Sequence, residues 1–221
     1  MIECANPLFL DRETESLVCA YMTAKELIIE AGFASEIDWQ DKIDFDSISE
    51  QDFLREFAWV VFSSGMREAI VRKKFSAISE AFLHWANART VVLRAAHCRE
   101  SAMSVFAHKG KVEAVITVAG EISRLGFNCV HSRIKHDGIA YLKSFPFLGP
   151  ATANHLAKNL GLNVVKPDRH LVRLAARAGF STPSLMCRKI ADVMGEKDSV
   201  VDLVLWRYAT INRDYLVTFK P

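Results

Sequence analysis

The spacing of apolar side chains along this chain is helical almost throughout. Between positions 12 and 31 the apolar residues recur three or four positions apart, as on a helix with one buried face. They are Leu17, Val18, Tyr21, Met22, Leu27 and Ile28. The Ala31-Gly32 pair is expected to end this helix.

Residues that start helices occur at several later points. Ser49 with Asp52 three residues on resembles a capping box, and an apolar helix is predicted over 53–62. Pro183 is expected to open a helix over 183–194, and Asp198 to cap one over 199–211. Further helices are predicted near 67–83, 87–107, 111–125, 136–144, 151–160 and 169–178. The short Val91-Val92-Leu93 run has a strand-like composition but lies inside a helical frame. About ten helices with short connections predict an all-α fold.

The composition limits the class of protein. The chain has 221 residues, half of them hydrophobic, which is enough for one large domain or two small ones with a real core. No run of about 18 uncharged apolar residues occurs, so no membrane span is expected. The first residues, Met1 to Cys4, lack the pattern of a signal peptide.

The five cysteines are spread along the chain without a C-x-x-C pair: Cys4, Cys19, Cys98, Cys129 and Cys187. This spacing argues against a disulfide framework and against a zinc or iron–sulfur site, so no metal site is predicted. A reducing cytoplasm is the expected location.

Charge is distributed unevenly between the two ends of the chain. Residues 1–52 carry 3 basic and 13 acidic residues, whereas the remainder carries 25 basic and 13 acidic residues. The excess of basic residues over 53–221 is typical of a protein that binds a polyanion. An acidic outer helix on an ordinary globular protein would explain the same numbers.

The segment over 138–178 is predicted to form a helix ending near Lys143, a tight turn over 145–150 and a second helix from Ala151. A turn that opens a helix exposes unpaired backbone N–H groups, which can bind a phosphate without any side chain. Gly149 would let another molecule approach the backbone closely. An ordinary pair of antiparallel helices would have the same pattern.

Two motifs in this segment resemble those of the helix-hairpin-helix DNA glycosylases, the endonuclease III-like superfamily. The first, similar to Leu-Pro-Gly-Val-Gly followed two residues later by Thr-Ala-Asn, is Phe145-Pro146-Phe147-Leu148-Gly149-Pro150-Ala151-Thr152-Ala153-Asn154. The second, similar to Asp-Thr-His-Ile-x-Arg, is Asp168-Arg169-His170-Leu171-Val172-Arg173. Arg177 falls where related members also have arginine. The motifs occur in the order and at the separation typical of the family.

The resemblance implies two helical subdomains with a helix-hairpin-helix motif and the active cleft between them. One would be a helical barrel over 52–162 that ends in the helix-hairpin-helix. The other would combine 1–51 with 163–221 and carry the catalytic aspartate.

The resemblance also implies that Asp168 is the catalytic carboxylate. Breaking an N-glycosidic bond builds positive charge on the sugar, and a nearby carboxylate stabilises that charge or orients a water for attack. A purely structural role for Asp168 is the alternative, because this residue follows Pro167 and stands where it could cap the next helix.

The DNA contacts implied by the resemblance lie at the turn and beyond Asp168. They are Leu148, Gly149, Ala151, Thr152, His170 and Arg173. The resemblance implies no cofactor other than a monovalent cation, which carbonyl groups of the turn can bind.

Three departures from the family pattern narrow the activity. Bifunctional members have a nucleophilic lysine where this chain has Ala151, so no lyase activity is expected through that position. Phe147 replaces the first glycine of the motif. The four-cysteine cluster site of endonuclease III is absent from the sequence.

The sequence therefore predicts a monofunctional DNA N-glycosylase that flips out and excises a modified base, leaving an abasic site. The base stays open between an alkylated purine and a bulky hypermodified pyrimidine, such as the glucosylated hydroxymethylcytosine of phage DNA. The expected partner is double-stranded DNA containing that base, with the protein a cytoplasmic, nucleoid-associated monomer. The alternatives are a non-catalytic helix-hairpin-helix DNA-binding module and an all-α scaffold protein.

Aromatic residues of the predicted helices are candidates for stacking on a flipped base, although helical spacing more often marks core residues. They are Phe53, Phe57, Trp59, Phe62, Trp85 and Tyr141.

Overall fold

The structure, a computed structural model, describes residues 11–219, and these residues are all-α, with no strand among them. The prediction of an all-α fold is thereby confirmed. The α-helices are α1 (Arg12–Ile28), α2 (Ala34–Lys42), α3 (Glu50–Ser63), α4 (Glu68–Ala81), α5 (Ala88–Leu93), α6 (Ala95–Val105), α7 (Lys109–Leu125), α8 (Phe127–Asp137), α9 (Ile139–Leu142), α10 (Pro150–Asn159), α11 (Arg169–Arg177), α12 (Pro183–Met194), α13 (Asp198–Ile211) and α14 (Tyr215–Thr218).

Helices with a clear start signal lie where the sequence predicts them. Ser49 caps α3, and its side chain and that of Asp52 complete the capping box. The helix α12 begins at Pro183 and ends at Met194, as predicted. Asp198 does not cap α13, because it is the first residue inside that helix and its carboxylate pairs with Arg188.

Several predicted boundaries are wrong. The helix predicted over 87–107 is divided at Arg94 into α5 and α6, and the Val91-Val92-Leu93 run is helical. The structure adds α2 and α8, which the apolar pattern had not indicated. Gly32, expected to end the first helix, forms a kink with φ +89° that leads directly into α2.

The chain divides into two compact units. The first takes its described residues from the segment ending at Lys42 and from the segment that begins at Asn163. The second comprises Ile43–Leu162. Met1 to Cys4, on which the argument about a signal peptide rested, lie outside the described residues.

The first unit is built around α13. This helix is buried on almost every side, with Val201, Val204 and Leu205 fully inaccessible to solvent. A helix that is apolar all round belongs at the centre of a core. An ion pair also stabilises this unit: the guanidinium group of Arg207, on α13, donates hydrogen bonds from two of its nitrogens to the carboxylate of Glu36.

The second unit has an aromatic core on α3. Phe53 and Phe57 pack against Phe145, with ring centroids about 6 Å apart. Lys111, almost fully buried, donates hydrogen bonds to the carbonyl oxygens of Phe62 and Ser64 at the end of α3. Burial lowers the pKa of this lysine. Its hydrogen bonds satisfy carbonyl groups that the end of a helix leaves unpaired.

The connection between α4 and α5 is strained. Leu83, His84 and Trp85 all have positive φ values, between 53° and 61°. This left-handed conformation costs roughly 1–2 kcal/mol for each residue that carries a side chain. Trp85 is buried and stacks on Phe82 at 5.1 Å, so packing of the tryptophan holds the segment in place.

None of the helices within residues 11–219 combines the length and the apolar character that crossing a membrane requires.

Candidate functional site

Asp168 lies at the start of α11, in the first unit. Its Oδ1 accepts hydrogen bonds from the backbone N–H groups of His170, at 2.9 Å, and Leu171, at 3.0 Å. Two N–H groups that the helix leaves unpaired are thereby satisfied. The structural role expected of Asp168, an N-cap, is therefore present.

The second oxygen of the same carboxylate is uncommitted. No residue within 11–219 donates a hydrogen bond to Asp168 Oδ2, and the side chain is only half-buried. Because Oδ1 is held by two N–H groups, the carboxylate has a fixed orientation, and Oδ2 is free to face a ligand. A preoriented negative charge of this kind can stabilise positive charge developing on a bound molecule.

The segment that leads to Asp168 is anchored from inside the unit. Val165 is buried in the core, and the N–H of Lys166 donates to the carboxylate of Asp202, which is fully buried within α13. The N–H of Asp168 in turn donates to the carbonyl oxygen of Lys166 at 2.8 Å. Asp202 therefore positions the backbone immediately before Asp168. The sequence analysis missed this residue, and its one signal is a carboxylate in an otherwise apolar helix.

The exposed side of α11 is basic. We call Arg169, Arg173 and Arg177, which lie four residues apart on one side of the helix, the arginine face. Arg173 and Arg177 make no hydrogen bond or ion pair with any residue of 11–219. Like charges at this spacing repel one another, which a bound polyanion would relieve.

The basic character extends well beyond α11 in the sequence. Asp168 is the only acidic residue between Asp137 and Asp192. The absence of other acidic residues near Asp168 in the sequence is a feature that the two motifs do not include. A single carboxylate within a long basic stretch favours a specific role for that carboxylate.

His170, a predicted DNA contact, is half-buried beside Tyr215. Its Nδ1 lies 3.4 Å from the tyrosine hydroxyl, and the two rings meet edge to face at 5.5 Å. Burial, the largest influence, lowers the pKa of the imidazole. The neutral form of His170 is therefore favoured, and its ring can act as a hydrogen-bonding group.

The 145–150 turn, in the second unit, joins α9 to α10. The N–H of Leu148 donates to the carbonyl oxygen of Phe145 at 3.2 Å, with Pro146 and Phe147 at the corner. Phe147 has φ +66°, the conformation for which this kind of turn normally requires glycine. The backbone thus has a positive φ although the residue is a phenylalanine, at a cost of roughly 1–2 kcal/mol.

Thr152 holds the 145–150 turn together. Its hydroxyl accepts a hydrogen bond from the N–H of Gly149 at 2.8 Å and donates one to the carbonyl oxygen of Phe147 at 3.0 Å. The N–H of Gly149 and the hydroxyl of Thr152, both predicted to contact DNA, are therefore engaged within the turn.

The other predicted contacts at the turn differ in their exposure. The side chain of Leu148 is buried, whereas Ala151 is exposed. No residue within 11–219 accepts a hydrogen bond from the N–H of Ala151 or of Thr152, and Pro150 has no N–H. Two free donors at the start of α10 can bind an anion. A Cβ at Gly149 would meet no atom within 4 Å, so the surface over this turn is open.

The carbonyl groups of the turn are those expected to contact a monovalent cation. Those of Phe145 and Phe147 each accept one hydrogen bond, whereas that of Gly149 accepts two, from the N–H of Ala153 and the hydroxyl of Thr152. A carbonyl oxygen has two lone pairs, so only the groups of Phe145 and Phe147 keep one for a cation. Within residues 11–219, no three His, Cys, Asp or Glu side chains are grouped so as to hold a metal ion.

The aromatic candidates belong mainly to the core of the second unit. Phe53, Phe57, Phe62 and Trp85 are at most 2% exposed. Tyr141 is half-buried, and its hydroxyl donates to Glu121 at 2.9 Å. Trp59 is also half-buried and is packed edge-on against a neighbouring phenylalanine. Of these side chains, Tyr141 packs against Phe145 at the beginning of the turn, with ring centroids 5.2 Å apart.

A cleft of about 520 Å³ lies elsewhere in the first unit. Its lining includes Thr14, Leu17, Phe180 and Lys189 but not Asp168. The cleft is therefore separate from the carboxylate singled out above.

Comparison of the chain with family models, with curated proteins and with solved structures finds no match.

Proposed function

We propose that this protein is a monofunctional DNA N-glycosylase in which Asp168 is the catalytic carboxylate. The observation that carries the proposal is the hydrogen bonding of the Asp168 carboxylate. Two backbone N–H groups hold Oδ1, whereas Oδ2 accepts no hydrogen bond from residues 11–219. The two motifs that resemble helix-hairpin-helix DNA glycosylases add support. The helix-hairpin-helix motif and the two helical subdomains of that family are part of the proposal.

The reaction is hydrolysis of the bond between the sugar and the base. As the bond from C1′ to the base nitrogen breaks, C1′ becomes positively charged, and the negative charge of Asp168 stabilises it. Water then forms the new bond to C1′ and gives its proton to the carboxylate. From there the proton passes to the departed base if the base leaves as an anion, or to solvent if a cationic alkylated purine leaves as a neutral base. The products are a free base and an abasic site in an intact strand.

The partner is double-stranded DNA. Two features support this: the arginine face of α11, with two arginines that have no protein partner within 11–219, and the two free N–H groups at the start of α10. Arginine side chains and helix N-termini are both common ligands of DNA phosphates. Neither group reads the sequence of the bases, so these contacts position the DNA and leave the choice of base to the pocket.

The substrate is a modified base, since attack on ordinary bases would damage the genome. An alkylated purine already carries positive charge that weakens its glycosidic bond, so it requires little beyond stacking and Asp168. A glucosylated hydroxymethylcytosine has a stronger bond and a bulky polar group, and requires hydrogen-bonding partners for the sugar. Ala151 has no amine, so the enzyme forms no Schiff base through that position.

The proposal is tested by incubating the protein with four DNAs at equal enzyme concentration and measuring the released base by mass spectrometry. The DNAs contain methylated purines, glucosylated hydroxymethylcytosine, uracil or 8-oxoguanine. We expect release from one of the first two and an uncut abasic strand. Release from uracil or 8-oxoguanine alone would contradict the substrate class, and binding without release from any DNA would favour the non-catalytic module.

A further inference from the structure

Phe147 combines two properties that seldom occur together in a phenylalanine. Its backbone has φ +66°, which bulky side chains rarely adopt, and its side chain is 41% exposed. In the same unit, Trp85 has a similar φ but is almost fully buried, whereas His84 is exposed. Packing therefore covers Phe147 only in part.

The ring of Phe147 packs against the start of α7. A Cβ built on Gly110, in the first turn of α7, would lie 3.1 Å from Cζ of the ring. The imidazole of His108, which precedes α7, meets the ring edge to face with centroids 5.9 Å apart. The absence of a side chain at Gly110 thus lets the ring lie against the start of α7, while two fifths of the residue stays exposed.

The two segments that meet at the ring are basic in sequence. Lys109 stands between His108 and Gly110, Lys143 comes shortly before the turn, and both lysines are exposed. No acidic residue occurs in 138–162 or in 101–112. Glu113, the next carboxylate of α7, is paired with Arg99. A partly exposed aromatic ring between two segments that contain lysines and no carboxylates suits a strand of nucleic acid, since bases and sugars pack on aromatic rings and phosphates on cations.

We propose that Phe147 is a DNA contact of this protein, packing its exposed ring against a base or deoxyribose of the strand at the 145–150 turn. This inference rests on the proposed DNA-binding function and adds to it a residue that the motif comparison treats only as a missing glycine. Gly110 is the positioning residue for the ring.

The first test compares Phe147→Gly, Phe147→Tyr and the wild type by titration of duplex DNA. Removing the ring should weaken binding about 5-fold to 150-fold, the range for losing one stacked aromatic residue. Phe147→Tyr should bind within about 3-fold of the wild type, because it keeps the aromatic face. Leu93→Ala is the matched control, since Leu93 is 74% exposed in the same unit, and it should leave affinity unchanged.

Thermal unfolding separates a DNA contact from a structural one. Relief of the left-handed conformation offsets the lost packing in Phe147→Gly, so its melting temperature should stay within about 4 °C of the wild type. If the melting temperature of Phe147→Gly fell much further while the folded protein kept its DNA affinity, the ring would have only a structural role. That result would overturn the proposal.

The second test is a double-mutant cycle with Gly110→Ala. A methyl group at 3.1 Å from Cζ requires the ring to shift by a few tenths of an ångström, so the effect of Gly110→Ala on binding should appear in the wild type and be absent in Phe147→Gly. Additive effects of the two substitutions would show that Gly110 does not act through the ring.

The outcomes distinguish this inference from the proposed function. Wild-type base release with unchanged binding by Phe147→Gly overturns the role of the ring and leaves the glycosylase standing. A wild-type protein that binds no DNA overturns both. Weaker binding by Phe147→Gly without base release from any DNA supports the contact and removes the proposed reaction.

Discussion

The arginine face of α11 gives a quantitative prediction about DNA binding. Replacing Arg173 and Arg177 by glutamine removes two cations that have no partner within residues 11–219. Each phosphate contact contributes about 0.9 to the slope of log affinity against log salt, so the double variant should lose about 1.8 from the slope. Between 50 and 200 mM salt, its binding deficit should therefore shrink about 12-fold.

The assay is a titration of labelled duplex DNA at four salt concentrations, with thermal unfolding in parallel. The melting temperature should not fall, because the substitutions remove repulsion between like charges one turn apart. Arg12→Gln is the control, since Arg12 is exposed in the acidic first turn of α1, and it should keep the wild-type slope. An unchanged slope for the double variant would refute the assignment of the arginine face to phosphates.

Three further predictions concern single residues of the candidate site. Gly149→Ala should leave thermal stability unchanged, because φ is −84° and the new methyl group meets no atom within 4 Å, yet it should weaken DNA binding; equal affinity would exclude close approach at this turn. Borohydride should trap no covalent complex of the wild type with substrate DNA, since Ala151 has no amine, and a trapped band on a denaturing gel would mean that another amine reacts. The folded-state pKa of His170 lies below its ordinary value of 6.5, so the unfolded state takes up the proton first and the free energy of unfolding should fall as pH drops below about 6.5. His170→Asn should flatten that part of the pH profile in denaturant titrations, and an identical profile would exclude His170 as the source.

The helices that could be predicted from the sequence are those whose start signals are local. The capping box at Ser49 and the proline at Pro183 act through residues three or four positions away, so a single stretch of sequence contains the whole signal. The helices α2 and α8 were missed because their buried stripe is narrow. Only Val130 and Ile134 of α8 are buried, which is too few apolar positions to give a clear period.

Features that depend on distant partners could not be predicted. The left-handed segment at Leu83–Trp85 contains no glycine, and it is held by stacking of Trp85 within the core. The role of Asp202 depends on the backbone of Lys166, which is far away in the sequence. By contrast, the helix cap formed by Asp168 depends on the next three residues, and the sequence had indicated it as the structural alternative to a catalytic role.

The same distinction applies to the candidate site. The motifs predicted which residues border the turn and the start of α11, but not which of their polar groups are free. The hydroxyl of Thr152 is used within the turn, and the N–H of Ala151 is not. That difference follows from backbone geometry, which side-chain identity alone does not specify.

The most direct test of the central proposal is single-turnover base excision by Asp168→Asn. Asparagine caps helices as well as aspartate does, so its side-chain oxygen can keep the bonds to the N–H groups of His170 and Leu171 while the negative charge is lost. With fold and DNA affinity unchanged, the rate of excision should fall by about 10²–10³-fold or more. Excision at a near-normal rate by this folded, DNA-binding variant would contradict the assignment of Asp168 as the catalytic carboxylate.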